Sequence, residues 1–245
     1  MLRNTRLLIE YDGSGFSGWQ QQRGLRTVEV ELKRALTDLL GVPVIVYAAS
    51  RTDAGAHAEG QVANFHHSSR LPRQRLLAAL NARLPPDVAI LQVQDVASDF
   101  HARYSARWRR YRYRYLDRPV RPVLERGRCW HVKRPLDVAL MAEAASHLVG
   151  SHDWTTFCSA SESPEDRVRV LHSVEVRRQE PFVDLDLRGE GFLRGLVRSI
   201  AGALAEVGLG SRPAEWVGEI LAARDRALSP RTAPAAGLTL VEVGY

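Results

Sequence analysis

The fold prediction starts from the stretch VIVYAASRTDAGAHAEGQVANF, residues 44–65. Residues 44–49 are an unbroken apolar run, typical of a buried strand, and residues 61–65 favour a second strand that returns beside it. The segment between them is small and polar, and Gly55 permits backbone angles that other residues avoid. We therefore predict two strands joined by a tight loop that carries Asp53.

Helices and further strands flank this pair in the sequence. Apolar residues recur at helical spacing from Val28 to Leu39, before Gly41, and again from Leu76 to Leu84, before Pro85. Strands are predicted at residues 6–11 and 88–96. The order is β-α-β-β-α-β, the ferredoxin-like pattern.

The remainder of the chain repeats this order. It contains, in turn, a strand at 107–115, a helix capped by Asp137, a strand in which Val168, Val170, Val174 and Val176 share one face, a strand at 182–187, a helix at 193–207, a helix near 216–221 and a last strand at 238–243. We therefore expect an α+β fold of two tandem ferredoxin-like halves, residues 1–105 and 106–245. They should form a mixed, mostly antiparallel central sheet with helices on one side and a cleft between the halves.

The charge of the chain favours a polyanionic partner. The formal net charge is +6, and all basic residues except Lys33 and Lys133 are arginine, whose planar guanidinium suits phosphates and stacks on bases. The two cysteines provide no disulfide framework. Because the sequence shows no signal-peptide-like or membrane-spanning apolar segment, we expect a cytoplasmic protein with no membrane partner.

Asp53 is the first candidate for chemistry. A carboxylate on a glycine-containing loop after a strand can be a nucleophile, a general base, a metal ligand, or simply the cap of its own turn. The loop has no second copy, so the paired-aspartate chemistry of aspartic proteases is not indicated. His57, His66, His67 and His101 lack the spacing of a metal site, and no metal is expected.

Two arginine-containing segments are further candidates. In RRYRYRY, residues 109–115, alternation places the tyrosines on one face of a strand and Arg110, Arg112 and Arg114 on the other. That face is either a solvated basic surface or a surface that meets phosphates while a tyrosine stacks on a base. Arg198 lies near the apolar stripe of its helix and needs a carboxylate partner there, either a structural or a catalytic one. Neither a Walker A motif nor GxGxxG occurs, so no nucleotide cofactor is expected.

Seven segments taken together resemble the TruA-type tRNA pseudouridine synthases. They are YDGSGFSGWQ (11–20), RTDAGAHA (51–58), FHARYSA (100–106), RRYRYRY (109–115), HDWTTFC (152–158), GFLRGLVRSI (191–200) and GLTLVEVGY (237–245). The resemblance implies isomerisation of uridine to pseudouridine in tRNA, at positions 38, 39 and 40 of the anticodon stem-loop, without a cofactor.

The same resemblance implies roles for four residues. Asp53 matches the catalytic aspartate, with the role of nucleophile, and Tyr111 matches the tyrosine that stacks on the base. Arg198 matches the arginine paired with that aspartate, and Arg51 matches an arginine that holds the flipped-out nucleotide. The family also implies a homodimer with tRNA as its substrate. A non-catalytic RNA-binding protein and a metal-dependent hydrolase remain the alternative hypotheses.

Overall fold

The computed structural model describes residues 2–245, and these residues form ten strands and five α-helices. In chain order they are β1 (Arg3–Tyr11), α1 (Val28–Leu40), β2 (Val46–Ala48), β3 (His57–His67), α2 (Arg73–Asn81), β4 (Val88–Val96), β5 (Trp108–Asp117), β6 (Trp130–Val132), α3 (Val138–Ser146), β7 (Gly150–Asp153), β8 (Val168–Gln179), β9 (Phe182–Gly189), α4 (Leu196–Gly208), α5 (Glu215–Ala223) and β10 (Leu238–Gly244). The predicted α+β class is confirmed.

The chain forms two compact units, one of residues up to Arg107 together with Leu240–Tyr245 and one of residues Trp108–Thr239. The last residues of the chain group with the first unit because β10 lies next to β3. The peptide N–H of Arg107 also donates to the carbonyl of Gly244, 2.8 Å away. The division into domains 1–105 and 106–245 stays a prediction.

The first unit is built around β1, which pairs antiparallel with β3 on one side and β4 on the other. Its order β1-α1-β2-β3-α2-β4 is the predicted one. Helix α1 ends where the sequence indicates, because Gly41 adopts the left-handed conformation with φ of 74°. The core holds the apolar stripes of β1 and of both helices: Leu7, Ile9, Leu32, Leu36, Leu76 and Leu80.

The prediction of a buried strand at 44–49 is wrong in extent and in burial. β2 covers three residues, pairs antiparallel with β3, and is preceded by Ile45, which is 66% exposed. A short apolar run does not by itself distinguish an edge strand from a central one, because that depends on which strands pair with it. The return strand is longer than predicted, since β3 begins at His57.

In the second unit β9 pairs antiparallel with β5 and β8, and β7 pairs antiparallel with β8. The short strand β6 pairs parallel with β5, so the pairing is mixed but mostly antiparallel, as predicted. Asp137 caps α3 by accepting from the peptide N–H groups of Ala139 and Leu140. The sequence did not predict β6 or β7.

The prediction that four valines share one face of β8 is wrong. The register of β8 against β9 shifts between Leu171 and Ser173, and the buried residues are Leu171, Val174 and Val176. Val168 is 55% exposed. A bulge changes the face to which later residues point, and the sequence pattern does not mark it.

Candidate active site

The Asp53 loop, residues 49–56, connects β2 to β3 in the first unit. Its first two residues are fixed to β3, because Ala49 N donates to Val62 O at 2.8 Å and Gln61 Nε2 donates to Ser50 O at 2.7 Å. Its turn is closed by the peptide N–H of Ala56, which donates to the backbone carbonyl of Asp53 at 3.1 Å. The turn is therefore closed through the backbone carbonyl of Asp53.

A second loop, residues 12–20 after β1, supports the Asp53 loop through main-chain contacts. Trp19 N donates to Thr52 O at 3.1 Å, and Gly55 N donates to Phe16 O at 3.2 Å. The hydroxyls of Thr52 and Tyr11 lie 2.7 Å apart, and both residues are buried. Thr52, next to Asp53, is thus held through both its carbonyl and its side chain.

Two glycines allow the loops to approach this closely. A Cβ atom at Gly13 would lie 1.9 Å from the carbonyl oxygen of Ala56, and one at Gly18 would lie 2.7 Å from that of Thr52. Gly18 also has a φ of 90°, and Gly55 one of 81°. This support was not predicted from the sequence. The signal that could have revealed it is the run of closely spaced glycines after β1, Gly13, Gly15 and Gly18.

His57 has a structural position at the start of β3. The side chain is buried, and its Nδ1 accepts a hydrogen bond from the peptide N–H of Gly13 at 3.1 Å. Asp12 Oδ1 lies 3.3 Å from the same nitrogen. His57 therefore ties the supporting loop to β3. Asp53 is half-buried and Arg51 is exposed, so both side chains reach the surface of the Asp53 loop.

In the second unit β5 has the predicted alternation. Tyr111, Tyr113 and Tyr115 are buried, and the ring of Tyr111 packs edge-on against Phe192 with centroids 4.8 Å apart. The hydroxyl of Tyr113 donates to Pro234 O and that of Tyr115 to Ala201 O. Burial raises the pKa of both hydroxyls, so Tyr113 and Tyr115 stay neutral and structural.

The arginines on the other face of β5 pair with carboxylates of β9. Arg114 forms two hydrogen bonds of 2.8 Å with Asp184, which is 1% exposed. Arg112 Nε lies 3.8 Å from both Asp184 and Asp186, and Arg110 lies 3.7 Å from Asp186. Burial raises the pKa of Asp186, with the charges of Arg112 and Arg110 opposing that rise. The arginines on this face are thus paired with carboxylates of β9, an arrangement that neither of the two alternatives predicted.

Arg198 is half-buried in the first turns of α4. Its Nε donates to Ala233 O at 2.8 Å, and Ala233 N donates back to the carbonyl of Arg198 at 3.0 Å. Its charge opposes the upward shift of the Tyr113 pKa caused by burial. The backbone around Ala233 therefore fixes the direction of this side chain.

The four predicted site residues fall in both units. Asp53 and Arg51 share one loop of the first unit, while Tyr111 and Arg198 lie on β5 and α4 of the second. Among residues 2–245, no group of three or more His, Cys, Asp or Glu side chains is arranged to hold a metal ion. None of the helices in that range is long and apolar enough to cross a membrane.

Comparison with known proteins defines the class to which these features belong. A family model described as tRNA pseudouridine synthase matches residues 7–105 and 144–245. Asp53 and Arg198 lie within the matched segments, and Tyr111 lies between them.

Curated relatives extend this similarity along the whole chain. The chain is 44% identical over 244 residues to tRNA pseudouridine synthase A of Acetivibrio thermocellus, covering 100% of both chains. It is 47% identical to that of Methylococcus capsulatus, covering 97% of this chain and 88% of that one. It is 43% identical to tRNA pseudouridine synthase A of Halalkalibacterium halodurans, covering 97% of this chain and 90% of that one. The chain therefore belongs to the tRNA pseudouridine synthase family, in its TruA type. It is an isomerase that acts on tRNA.

Proposed function

We propose that this enzyme converts uridine to pseudouridine at positions 38, 39 and 40 of the anticodon stem-loop, with Asp53 as the nucleophile and without a cofactor. The observation that carries the proposal is the support of the Asp53 loop. Main-chain hydrogen bonds from the neighbouring loop reach Thr52 and Gly55, on either side of Asp53. A fixed carboxylate is what a reaction at one atom of a positioned base requires.

The reaction needs no external reagent. The N1–C1′ bond of uridine breaks, the uracil turns while it is held, and a C5–C1′ bond forms as the proton on C5 is released and N1 is protonated. Atoms and electrons balance within the substrate. Asp53 attacks the base at C6, attacks the sugar at C1′, or promotes elimination to a glycal, and each of these routes uses an ionised carboxylate.

We propose substrate-binding roles for the other three residues. Tyr111 stacks on the uracil, since its ring is held edge-on by Phe192 and its orientation is fixed before the substrate arrives. Arg198 offers a guanidinium anchored through Nε to Ala233 O. Arg51, exposed beside Asp53, contacts the phosphates of the flipped-out nucleotide.

We further propose that the enzyme acts as a homodimer in the cytoplasm, where its tRNA substrate is found. Sedimentation of the purified protein measures the subunit number. A mass of one chain under assay conditions, with full activity, would contradict the dimer.

The experiment that tests the proposed function is a map of pseudouridines by carbodiimide labelling. Unmodified tRNA transcripts are incubated with the pure protein, with and without a strong chelator. We expect new labels at one or more of positions 38, 39 and 40, unaffected by the chelator. Labels only elsewhere would contradict the positions, dependence on a removable metal would contradict the cofactor-free reaction, and tight binding with no label would favour a non-catalytic RNA-binding protein.

A further inference from the structure

A cluster of rings lies at the surface of the first unit, where the segment that follows β4 contacts β2. The rings of Tyr47 and His101 have centroids 4.7 Å apart, and those of His101 and Tyr104 are 4.4 Å apart. The guanidinium carbon of Arg103 lies 5.6 Å from the Tyr104 ring centroid. Tyr104, at the end of this row of tilted rings, is 77% exposed. We call Tyr47, His101, Arg103 and Tyr104 the Tyr104 platform.

The backbone of this segment is held by the interior of the unit. Asn64 Oδ1 accepts from Ala102 N at 2.8 Å, and Asn4 Nδ2 donates to Phe100 O at 2.9 Å. Both asparagines are buried, and they bond to each other at 2.9 Å. The hydroxyl of Tyr245 donates to Ala102 O at 2.8 Å. Two buried amide side chains and the last residue of the chain therefore fix the base of the platform.

The turn itself is also ordered by hydrogen bonds. His101 Nδ1 accepts from the peptide N–H groups of Arg103 and Tyr104, at 3.1 and 3.4 Å. Ser105 closes the turn, because its N–H donates to His101 O at 2.9 Å and its hydroxyl oxygen accepts from His101 N at 3.0 Å. Burial lowers the pKa of His101, with the Arg103 charge adding to the shift, which keeps Nδ1 an acceptor at neutral pH. The exposed side chains are thus presented by a backbone with little freedom left to lose on binding.

The chemistry of the platform fits a nucleotide. A single exposed aromatic residue on a protein surface is ordinary. An exposed ring with two further rings tilted behind it and a guanidinium over it provides a π-face for a base and a cation for a phosphate. Bases offer such faces only where they are unpaired, as in the loops of tRNA.

We propose that the Tyr104 platform binds an unpaired nucleotide of the tRNA substrate, with the base stacked on Tyr104 and the phosphate facing Arg103. The proposal rests on tRNA being the substrate of this family, and it is independent of the role of Asp53. It assigns to FHARYSA, residues 100–106, a contact that the proposed reaction does not use.

Binding of one unmodified tRNA transcript at a fixed salt concentration tests the proposal. Tyr104→Ala should raise the Kd and the KM by about 5- to 150-fold, the range that loss of one base–aromatic stack costs. Tyr104→Phe keeps the ring and should stay within about twofold of the wild type. Equal Kd values for wild type and Tyr104→Ala would overturn the proposal and leave the Asp53 assignment standing. Full activity of Asp53→Asn would contradict the Asp53 assignment and leave the proposal for the Tyr104 platform standing.

A photo-crosslink identifies what lies on the ring. With a benzophenone amino acid in place of Tyr104, the crosslink to tRNA should map to an unpaired nucleotide. Crosslinks confined to base-paired stems would overturn the stacking geometry. If Tyr104→Ala instead changed the subunit number in sedimentation, the surface would be a contact between copies of the chain, and the proposal would be wrong.

Discussion

At the scale of one residue, the position of the Asp53 loop depends on Gly13 having no side chain. The backbone of Gly13 lies so close to Ala56 that a Cβ atom would lie within 1.9 Å of a carbonyl oxygen. A main-chain atom cannot rotate out of the way as the end of a side chain can. The peptide N–H of Ala56 closes the Asp53 turn, so any shift there is passed to the candidate nucleophile.

We therefore expect Gly13→Ala to displace the Asp53 loop. The free energy of unfolding should fall by about 1–3 kcal/mol, the usual cost of overpacking. Because displacement of a reacting group by about 1 Å can cost 100-fold in rate, kcat should fall by about that factor. Urea unfolding and single-turnover pseudouridine formation measure the two effects.

Gly15→Ala is the matched control in the same loop. Its Cβ would lie 3.1 Å from Arg26 Nη1 and 3.6 Å from Asp87 Oδ2, and both are ends of side chains. Near-normal stability and activity are expected. If Gly13→Ala behaved like this control, the loop support would be wrong.

His67 supplies a prediction about pH. Its Nε2 lies 2.9 Å from the hydroxyl of Thr5, while its buried Nδ1 finds no hydrogen-bond partner among the described residues. Burial lowers its pKa, the charges of Arg3 and His66 add to the shift, and Asp95 opposes it. The unfolded chain then binds a proton more readily than the folded one. This contribution to stability is complete above the ordinary histidine pKa and is lost as the pH falls through the lowered value.

We expect the free energy of unfolding in urea to decrease below about pH 6.5, by no more than about 1.4 kcal/mol per pH unit for one histidine. His67→Gln should reduce this dependence. The remaining dependence includes His101, whose pKa is lowered by burial as well. The same slope in His67→Gln and wild type would contradict the assignment.

At the scale of elements, helix α4 and the segment 231–237 hold Arg198 between them. A Cβ atom at Gly202 would lie 1.6 Å from Arg231 O, so the segment lies directly on the helix. Reciprocal hydrogen bonds join Ala233 to Arg198, and the hydroxyl of Tyr113 donates to Pro234 O. The segment thereby links α4 to β5, the two elements of the second unit that carry Arg198 and Tyr111.

Gly202→Ala should push this segment away from the helix and weaken its hydrogen bonds to Arg198. We expect a loss of about 1–3 kcal/mol in stability. If Arg198 acts in the reaction, kcat should fall at least as far as in Arg198→Lys, which keeps the charge but not the planar guanidinium. Steady-state kinetics on the tRNA transcript measure this effect.

Gly218→Ala in α5 is the control for changing a helical glycine. Its Cβ would meet the His147 ring at 3.2 Å, a side chain that can move. Alanine is favoured over glycine in a helix by about 1 kcal/mol, so this variant should be as stable as the wild type or slightly more stable. If both glycine variants kept full activity, the segment would have no part in positioning Arg198.

At the scale of the whole molecule, hydrophobic periodicity in the sequence was enough to predict the element order of the first unit. It also predicted the long strands and helices of the second unit. The strands β6 and β7, of three and four residues, are too short to show a period, and the bulge in β8 shifts the pattern midway. Charge, motif order and the two separated arginine and tyrosine segments indicated the family, which the comparisons then established.

Less of the candidate site than of the fold could be predicted from the sequence. Asp53 and Arg51 could be named, because they belong to one recognisable loop. The support of that loop by Gly13, Gly18 and His57 was not predicted, because the run of glycines after β1 does not show which loop it contacts, and the contacts join residues more than thirty positions apart. The pairing of Arg114 with Asp184 was equally invisible, since it depends on the register of β5 against β9.

The measurement that tests the central claim most directly is the rate of pseudouridine formation by Asp53→Asn on an unmodified tRNA transcript. The substitution keeps the size of the side chain and removes its charge, so the variant should fold and bind tRNA as the wild type does. Because a nucleophile or base is lost, the single-turnover rate should fall by at least about 100-fold. A variant that binds tRNA normally and forms pseudouridine at the wild-type rate would contradict the assignment of Asp53.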